Sequence, residues 1–364
     1  MNQFFPPPLY KFLKIAIGNG GISANKVKNV FPWLLKTILF EPLRWIEILT
    51  QDKSIREHTI SHHPIFVLGF YRSGTTYLQQ FLLQDDRTGH HSVFQMVFPE
   101  IMLSSEKWLT PVMESISSRF NMQDPVHRIP LTWQYSGEED ATMTTSLNTL
   151  GAQWGFFFPE KMQHYFDRYV LMENISELEE QTWIQSFVFL LKKISLANEG
   201  KQLVLKSPPN TARVKLLHSL FPNAKFILIH RNPYDVFASN KNFWKIAQEI
   251  YTIGKTKHAD INSIILDMYS KTMSRYIAER DLIPSEQLIE VPYAEFVDRP
   301  LETTKAIYEG LRLDDFGYCK NKMASFAEQQ GKFKRLSHSL HSDEKRIVSE
   351  RWEPYFRHWG YSLS

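Results

Sequence analysis

The segment with the clearest chemical signature covers residues 66–78 and reads FVLGFYRSGTTYL. An apolar stretch enters a loop that contains Gly69 and Gly74, and a helical pattern follows the loop. Glycines let a backbone approach an anion closely, and the start of a helix points N–H groups at it. Threonine hydroxyls after the second glycine add further donors. The residues predicted to bind an anion are Ser73, Gly74, Thr75 and Thr76.

The loop has the glycine spacing of a Walker A motif but lacks its lysine. A Walker A loop continues Gly-Lys-Ser/Thr, whereas here Thr75 occupies the lysine position and the positive charge comes earlier, at Arg72. ATP and GTP enzymes use that lysine on the outer phosphates and the next hydroxyl on Mg²⁺. A transferring group with less charge needs no such metal clamp, so one cation beside the loop can serve it. The sequence therefore predicts no metal site.

A second phosphate-binding pattern lies in residues 226–239, FILIHRNPYDVFAS. Arg231 follows a short apolar strand, and ligands of open α/β sheets bind beyond the carboxyl ends of strands. Ser239 lies eight residues later, about two helical turns further along. A guanidinium can grip a phosphate with two hydrogen bonds, and a serine hydroxyl can add a third. Between the two patterns, residues 203–205 form a strand that ends in Lys206, which would reach the same edge of the sheet as Arg72.

Together these segments resemble the PAPS-dependent sulfotransferases, in particular the bacterial type with a P-loop-like site. PAPS is 3'-phosphoadenosine 5'-phosphosulfate. The resemblance implies that the first loop and Arg72 bind the 5'-phosphosulfate and that Arg231 and Ser239 bind the 3'-phosphate. It also implies that Lys206 stabilises the transferring group. Similarity extends more weakly to the C-terminus. Relatives often carry a histidine soon after the lysine, where this chain has Asn210.

The reaction implied is an in-line displacement that needs a base for the acceptor hydroxyl, and the sequence offers two sets. His90 and His91 stand where some relatives, such as the tyrosylprotein sulfotransferases, place a catalytic glutamate after an Arg-x-Gly step. A histidine titrates near neutral pH. The alternative is the acidic run 138–140, with Glu139 at its centre, because repulsion within a cluster of carboxylates favours a proton acceptor. A third possibility is that neither set acts as the base.

Two other functions fit parts of the pattern. A P-loop kinase or NTPase would need a loop lysine and an acidic Mg²⁺ ligand at a strand end; Thr75 replaces the first, and Asp235 lies inside a helical stretch. A non-catalytic PAPS- or PAP-binding protein would keep Arg231 and Ser239 but could lose the other two cations. Because both are present, the sequence favours an enzyme that releases PAP.

The composition is that of an ordinary globular chain. It has 364 residues, 43% hydrophobic and 22% charged, with a net charge of +3, which argues against a nucleic-acid partner. The single cysteine, Cys319, suits a reducing compartment, and no stretch is long and apolar enough for a membrane span. We therefore expect a cytoplasmic protein. Residues 31–49 are apolar and aromatic, and either pack on the core or contact a membrane as a peripheral surface.

Short apolar strands alternating with helical patterns predict an α/β fold: a three-layer sandwich with a central parallel sheet, flanking helices and a P-loop-like nucleotide site. Residues 1–60 are predicted to form an N-terminal helical extension packed on one sulfotransferase domain, residues 61–364. The aromatic middle region 94–166 is the expected acceptor site. The acceptor carries a hydroxyl and is a small molecule, a lipid or a glycan. The sequence leaves the oligomeric state open.

Overall fold

The structure is a computed structural model that describes residues 8–124, 130–146, 150–254, 260–330 and 340–363. The α-helices are, in chain order, α1 Pro8–Gly18, α2 Val27–Leu39, α3 Glu41–Glu57, α4 Thr75–Leu82, α5 Val93–Val97, α6 Met102–Arg119, α7 Glu139–Thr145, α8 Trp154–Phe157, α9 Met162–Tyr169, α10 Glu177–Ala197, α11 Val214–Leu220, α12 Pro233–Tyr251, α13 Ile261–Glu279, α14 Tyr293–Asp298, α15 Pro300–Gly310, α16 Lys320–Gln330 and α17 Ser342–Trp359. The strands are β1 Ile65–Leu68, β2 Thr88–Gly89, β3 Gln202–Lys206, β4 Lys225–His230 and β5 Leu288–Pro292.

The five strands form one parallel sheet in the order β2-β3-β1-β4-β5. Its central strand β1 is buried at every residue, as expected where helices cover both faces. On one face Ile65, Val67 and Ile227 pack in a cluster with side chains of α4, α14, α15 and α16. On the other face Phe66 stacks on Phe226 with ring centroids 5.6 Å apart. The predicted α/β sandwich with a central parallel sheet is confirmed.

The chain divides into two compact units. The first contains residues 1–61, 90–200 and 245–259, and the second contains residues 62–89, 201–244 and 260–364, including the whole sheet. The first unit is helical and is built around α10, whose Trp183, Phe187 and Ile194 are buried and which contacts α3, α6 and α7.

The N-terminal helices follow the sequence expectation. Residues 8–57 are helical except for short connections, and the break between α2 and α3 falls next to Pro42, which lies in the first turn of α3. A proline is well placed there because the first N–H groups of a helix have no partner within the helix. Of these helices α3 contacts α6 and α10, and all three belong to the same unit as residues 90–200. That these helices form an extension distinct from one domain at 61–364 stays a prediction.

Candidate functional site

Three strand ends bring the predicted nucleotide residues to one edge of the sheet. Parallel neighbours share the edge at which their carboxyl ends lie. The register pairs Val67 of β1 with Lys206 of β3, and Leu68 of β1 with Leu228 of β4. The glycine loop, Lys206 and Arg231 therefore follow adjacent strands. All of these residues belong to the second unit.

The loop after β1 has backbone angles that favour glycine. Gly74 has a φ of 101°, and a Cβ added there would lie 2.4 Å from Cδ2 of Tyr293. Gly69 has a φ of 149°, and its Cβ would lie 2.7 Å from the carbonyl oxygen of Ile229. Arg72 also has a positive φ, 67°. The backbone thus turns tightly before α4, and Thr75 and Thr76 occupy the first turn of that helix.

Two buried side chains that the sequence analysis did not select hold this loop in place. The hydroxyl of Thr211 accepts a hydrogen bond from the N–H of Gly69 at 2.8 Å. The amide of Asn240 donates to the carbonyl oxygen of Tyr71 at 2.8 Å. Thr211 lies just beyond β3, and Asn240 follows the predicted Ser239. In the sequence, the available signal for both residues is a polar side chain that comes after a predicted strand. The backbone groups that they bind depend on the order of the strands in the sheet.

Arg72, Arg231 and Ser239 form one cluster. Nε of Arg72 donates to Oγ of Ser239 at 3.2 Å, and Nη1 of Arg231 donates to the carbonyl oxygen of Arg72 at 3.4 Å. Removal from water lowers the pKa of Arg72, and the nearby Arg231 charge lowers it further. Arginine stays protonated despite such a shift. The two positive charges repel each other at the same edge of the sheet, and a bound anion between them would stabilise both.

Tyr293, the first residue of α14, completes this cluster. Its ring lies under the guanidinium of Arg231 at 4.6 Å from the centroid, a cation–π contact. The register pairs His230 with Pro292, so Arg231 and Tyr293 follow paired positions of β4 and β5. Tyr293 thus contacts Arg231 and also occupies the space beside Gly74. The place of Tyr293 beside the loop cannot be read from the sequence, because it depends on the pairing of β5 with β4.

The C-terminal segment packs on the end of β4. Nδ1 of His230 lies 2.8 Å from the hydroxyl of Tyr361, and its ring stacks on Trp359. Burial lowers the pKa of His230 to about 4, so this histidine is neutral near pH 7. These aromatic contacts hold the end of β4 in place. Arg231 is the next residue, so its backbone position is fixed by them.

Lys206 is buried at the end of β3, with 4% of its surface exposed. Asn210, where relatives often have a histidine, is fully buried in a 3₁₀ turn, and its side-chain oxygen accepts a hydrogen bond from Arg213. A buried ammonium at the edge that carries Arg72 and Arg231 adds a third cation to the site. The three cations come from segments far apart in the chain, and the sheet brings them together.

The two candidate histidines lie in the first unit and differ in their surroundings. His91 is fully buried; its Nδ1 lies 3.1 Å from Oε1 of Gln95 and its Nε2 lies 2.5 Å from Oγ1 of Thr142. Burial lowers its pKa to about 3. His90 is half-buried, and its Nε2 lies 2.8 Å from the carbonyl oxygen of Gln134. A carbonyl only accepts, so Nε2 of His90 carries the proton and Nδ1 keeps its lone pair.

His91 predicts a pH-dependent stability. Its folded-state pKa is lowered, so the unfolded chain binds the extra proton first and stability falls as pH drops below about 6.5. Between pH 7 and 5 the loss from this residue should be about 2 kcal/mol. Urea unfolding of the wild type and His91→Asn at both pH values tests this, because the variant should lose about that much less. Equal losses in the two proteins would contradict the buried neutral state.

The acidic run begins α7, also in the first unit. Glu139 and Asp140 are buried, with 0% and 1% of their surface exposed, and Glu138 is half-buried. Negative side chains in the first turn are favoured by the helix dipole. That the general base comes from this run or from the histidines stays a prediction. Gln95 lies beside His91 and also donates to Glu106 at 2.8 Å.

Several aromatic side chains of the expected acceptor region belong to the packed interior. Trp154 is fully buried and lies next to Trp33, with centroids 6.0 Å apart, and Phe158 is 2% exposed.

Within the described parts of the chain, no group of three or more His, Cys, Asp or Glu side chains could hold a metal ion.

Comparisons with known proteins agree with this geometry. A model of the sulfotransferase family matches residues 64–316. The chain is 24% identical over 309 residues to the omega-hydroxy-beta-dihydromenaquinone-9 sulfotransferase Stf3 of Mycobacterium tuberculosis and to that of Mycobacterium bovis, covering 85% of this chain and 78% of each relative.

Solved structures share the fold. Sulfotransferase STF9 from Mycobacterium avium superposes with a TM-score of 0.70 at 18% identity, covering 87% of this chain and 82% of STF9. Sulfotransferase STF1 from Mycobacterium tuberculosis gives 0.68 at 19% identity, covering 95% and 91%. The family match includes the glycine loop, all three cations and the sheet that positions them. The chain belongs to the sulfotransferase family and is an enzyme that transfers a sulfuryl group.

Proposed function

We propose that the sulfuryl donor is PAPS and that the acceptor is a hydroxyl of a lipid-type molecule. The observation that carries the donor assignment is the cluster of Arg72, Arg231 and Ser239 beside the glycine loop. PAPS has two anionic parts, a 5'-phosphosulfate and a 3'-phosphate. An ordinary adenylate has no 3'-phosphate, so a separate arginine and serine for that group distinguish the donor.

Each part of PAPS has a candidate set of residues. In this proposal Arg231 and Ser239 bind the 3'-phosphate, because a guanidinium and a hydroxyl can supply several bonds to its oxygens. Residues 73–76 bind the 5'-phosphosulfate through the N–H groups and hydroxyls at the start of α4. Arg72 joins the two sets, since its guanidinium contacts Ser239 while its backbone lies in the loop. Tyr293 supports both Arg231 and the loop.

The transfer step forms a bond between the acceptor oxygen and sulfur and breaks the bond from sulfur to the bridging phosphate oxygen. PAP leaves with the negative charge that develops on that oxygen. Preorganised positive groups aimed at developing charge are usually the largest catalytic contribution. Lys206 and Arg72 are the groups we assign to this role, because they extend from the edge that carries the loop.

A base takes the proton of the acceptor hydroxyl. Among the histidines we propose His90, because the carbonyl of Gln134 fixes its tautomer and leaves Nδ1 as the proton acceptor. His91 has a hydrogen-bond partner at each ring nitrogen. Glu139 is the competing candidate.

Two observations support a lipid-type acceptor. The relative Stf3 is named for a hydroxylated dihydromenaquinone. In this chain, residues 31–49 expose Phe31, Ile38 and Leu49, which suits a peripheral contact with the membrane in which such an acceptor would reside.

Calorimetry with PAP tests the donor assignment. We expect binding that is the same with Mg²⁺ and with EDTA, because the charge of PAP is met by side chains and backbone N–H groups. AMP, which lacks the 3'-phosphate, should bind at least about 100-fold more weakly, since it loses the charge-assisted bonds to Arg231. Equal affinity for AMP and PAP would overturn the assignment of Arg231 and Ser239.

Labelled sulfate transfer tests the acceptor. The protein and labelled PAPS should modify a hydroxylated isoprenoid quinol in detergent micelles faster than a sugar or a short-chain alcohol at equal concentration. Preference for the sugar would refute the lipid acceptor and leave the donor assignment intact.

A further inference from the structure

Helix α2 has a second apolar face that points to solvent. Val27, Phe31, Leu35 and Ile38 follow one another at helical spacing, and between 42% and 62% of each residue's surface is exposed. Such spacing places them along one side of the helix. Another side of the helix packs inward through Val30, which is buried. A helix that is apolar on both sides is unusual at a protein surface and indicates a contact beyond the chain's own core.

The same feature recurs on neighbouring helices. In α1, Leu13 and Ile17 are exposed at a spacing of four residues, and in α6 Trp108, Val112 and Ile116 are exposed at the same spacing. These helices adjoin one another within the first unit, since α1 contacts α2, α2 contacts α3 and α3 contacts α6. We call the exposed apolar side chains of α1 and α2 the apolar surface, namely Leu13, Ile17, Val27, Phe31, Leu35 and Ile38.

The exposed charges of α1 and α2 are positive. Residues 8–40 contain no aspartate or glutamate, and of their lysines Lys36 lies beside Glu100 while Lys14 and Lys28 face solvent. Lys14 and Lys28 are exposed and directly follow the exposed Leu13 and Val27. Apolar side chains flanked by lysines form the pattern of helices that lie in the boundary region of an anionic membrane.

We propose that the apolar surface docks on an anionic phospholipid bilayer, with its helices lying in the headgroup region. Over the part of the chain that the structure describes, no helix is long and apolar enough to cross a membrane. A second copy of the chain fits less well, because a symmetric contact would place lysine against lysine with no carboxylates from these helices between them. The inference extends the contact through residues 31–49 to α1 and the start of α2 and does not depend on the identity of the donor.

Vesicle flotation tests this docking. The full chain should float with vesicles of phosphatidylglycerol and phosphatidylcholine, and less with phosphatidylcholine alone. The variant F31S/L35S/I38S should bind at least about tenfold more weakly, because each removed side chain would have left water on docking. K14Q/K28Q should weaken binding to the anionic vesicles by about fivefold per lysine and leave binding to neutral vesicles nearly unchanged.

Matched controls keep the test independent of folding and catalysis. Leu178→Ser replaces a residue of α10 that is 75% exposed and should leave flotation unchanged. PAP binding should be the same in all variants, because the nucleotide residues lie in the second unit. Failure of the wild type to float, or equal flotation of the triple variant, would overturn the proposal. A wild-type dimer that the triple variant converts to monomer, without vesicle binding, would assign the apolar surface to a second copy.

Discussion

Replacing Arg231 with glutamine is expected to weaken PAP binding by about 10²–10³-fold. The guanidinium can donate two charge-assisted bonds to the 3'-phosphate, and each contributes about 1.5–3 kcal/mol. Glutamine keeps a polar side chain of similar length but has neither the charge nor the paired donors. Calorimetry with PAP measures the change. Arg231→Lys should recover only part of the affinity, because an ammonium provides charge without the planar pair of donors.

Two comparison variants separate binding from transfer. Asp235→Asn removes the carboxylate 3.4 Å from Nε of Arg231 and keeps the guanidinium, so PAP should bind as well as in the wild type or slightly better. Lys206→Met should lower kcat by about 10²–10³-fold with little change in PAP affinity, as expected for a group that acts on developing charge. If Arg231→Gln binds PAP normally, or if Lys206→Met loses binding and kcat equally, the roles assigned to these residues are wrong.

His90→Asn is expected to lower kcat by about 10²–10⁴-fold, the usual contribution of a general base. Asparagine keeps a polar group near Gln134 but cannot take a proton at the position of Nδ1. Burial lowers the pKa of His90, so the base is already neutral at pH 7. The wild-type rate should therefore stay level as the pH falls to about 6.5 and decline only below that. Single-turnover transfer from labelled PAPS across this pH range measures both effects.

Carboxamide variants of the acidic run provide the comparison. Glu139→Gln and Asp140→Asn keep the shape of these buried side chains and remove their charge. If either loses the rate while His90→Asn retains it, the base is a carboxylate of α7. If all three variants retain the rate, none of these three residues is the base. PAP affinity should be the same in all three variants as in the wild type. A lower transfer rate then does not result from weaker nucleotide binding.

The strands were predictable because each is a short apolar run with a clear end. The apolar stretch before the glycine loop lies in β1, Ile65–Leu68, and the apolar run before Arg231 lies in β4, Lys225–His230. A buried parallel strand needs apolar residues on both faces, so the run is continuous and its limits are visible. The site residues at the ends of these strands were found for the same reason.

The neighbours of those residues were not predictable, because they depend on the order of the strands. Tyr293 contacts Arg231 since β5 pairs with β4, and Thr211 reaches Gly69 since β3 pairs with β1. No local pattern encodes that order. Strand β2 has only two residues, too few to show a periodicity. The sequence also did not predict that residues 90–200 form one unit with the N-terminal helices, because that unit depends on packing between segments far apart in the chain.

The strand order also has a consequence for folding. Among the described residues no two strands of the sheet are joined by a hairpin, and the bond that fixes Gly69 links residues 142 positions apart. Such distant pairings must overcome a large loop-closure entropy before they contribute any stability, so assembly of this sheet should be slow. The glycine loop can adopt its shape only once β1, β3 and β4 are together. The time at which PAP binding appears during refolding would therefore report when the central sheet is complete. If binding appears late, the glycine loop is one of the last parts of the chain to become native.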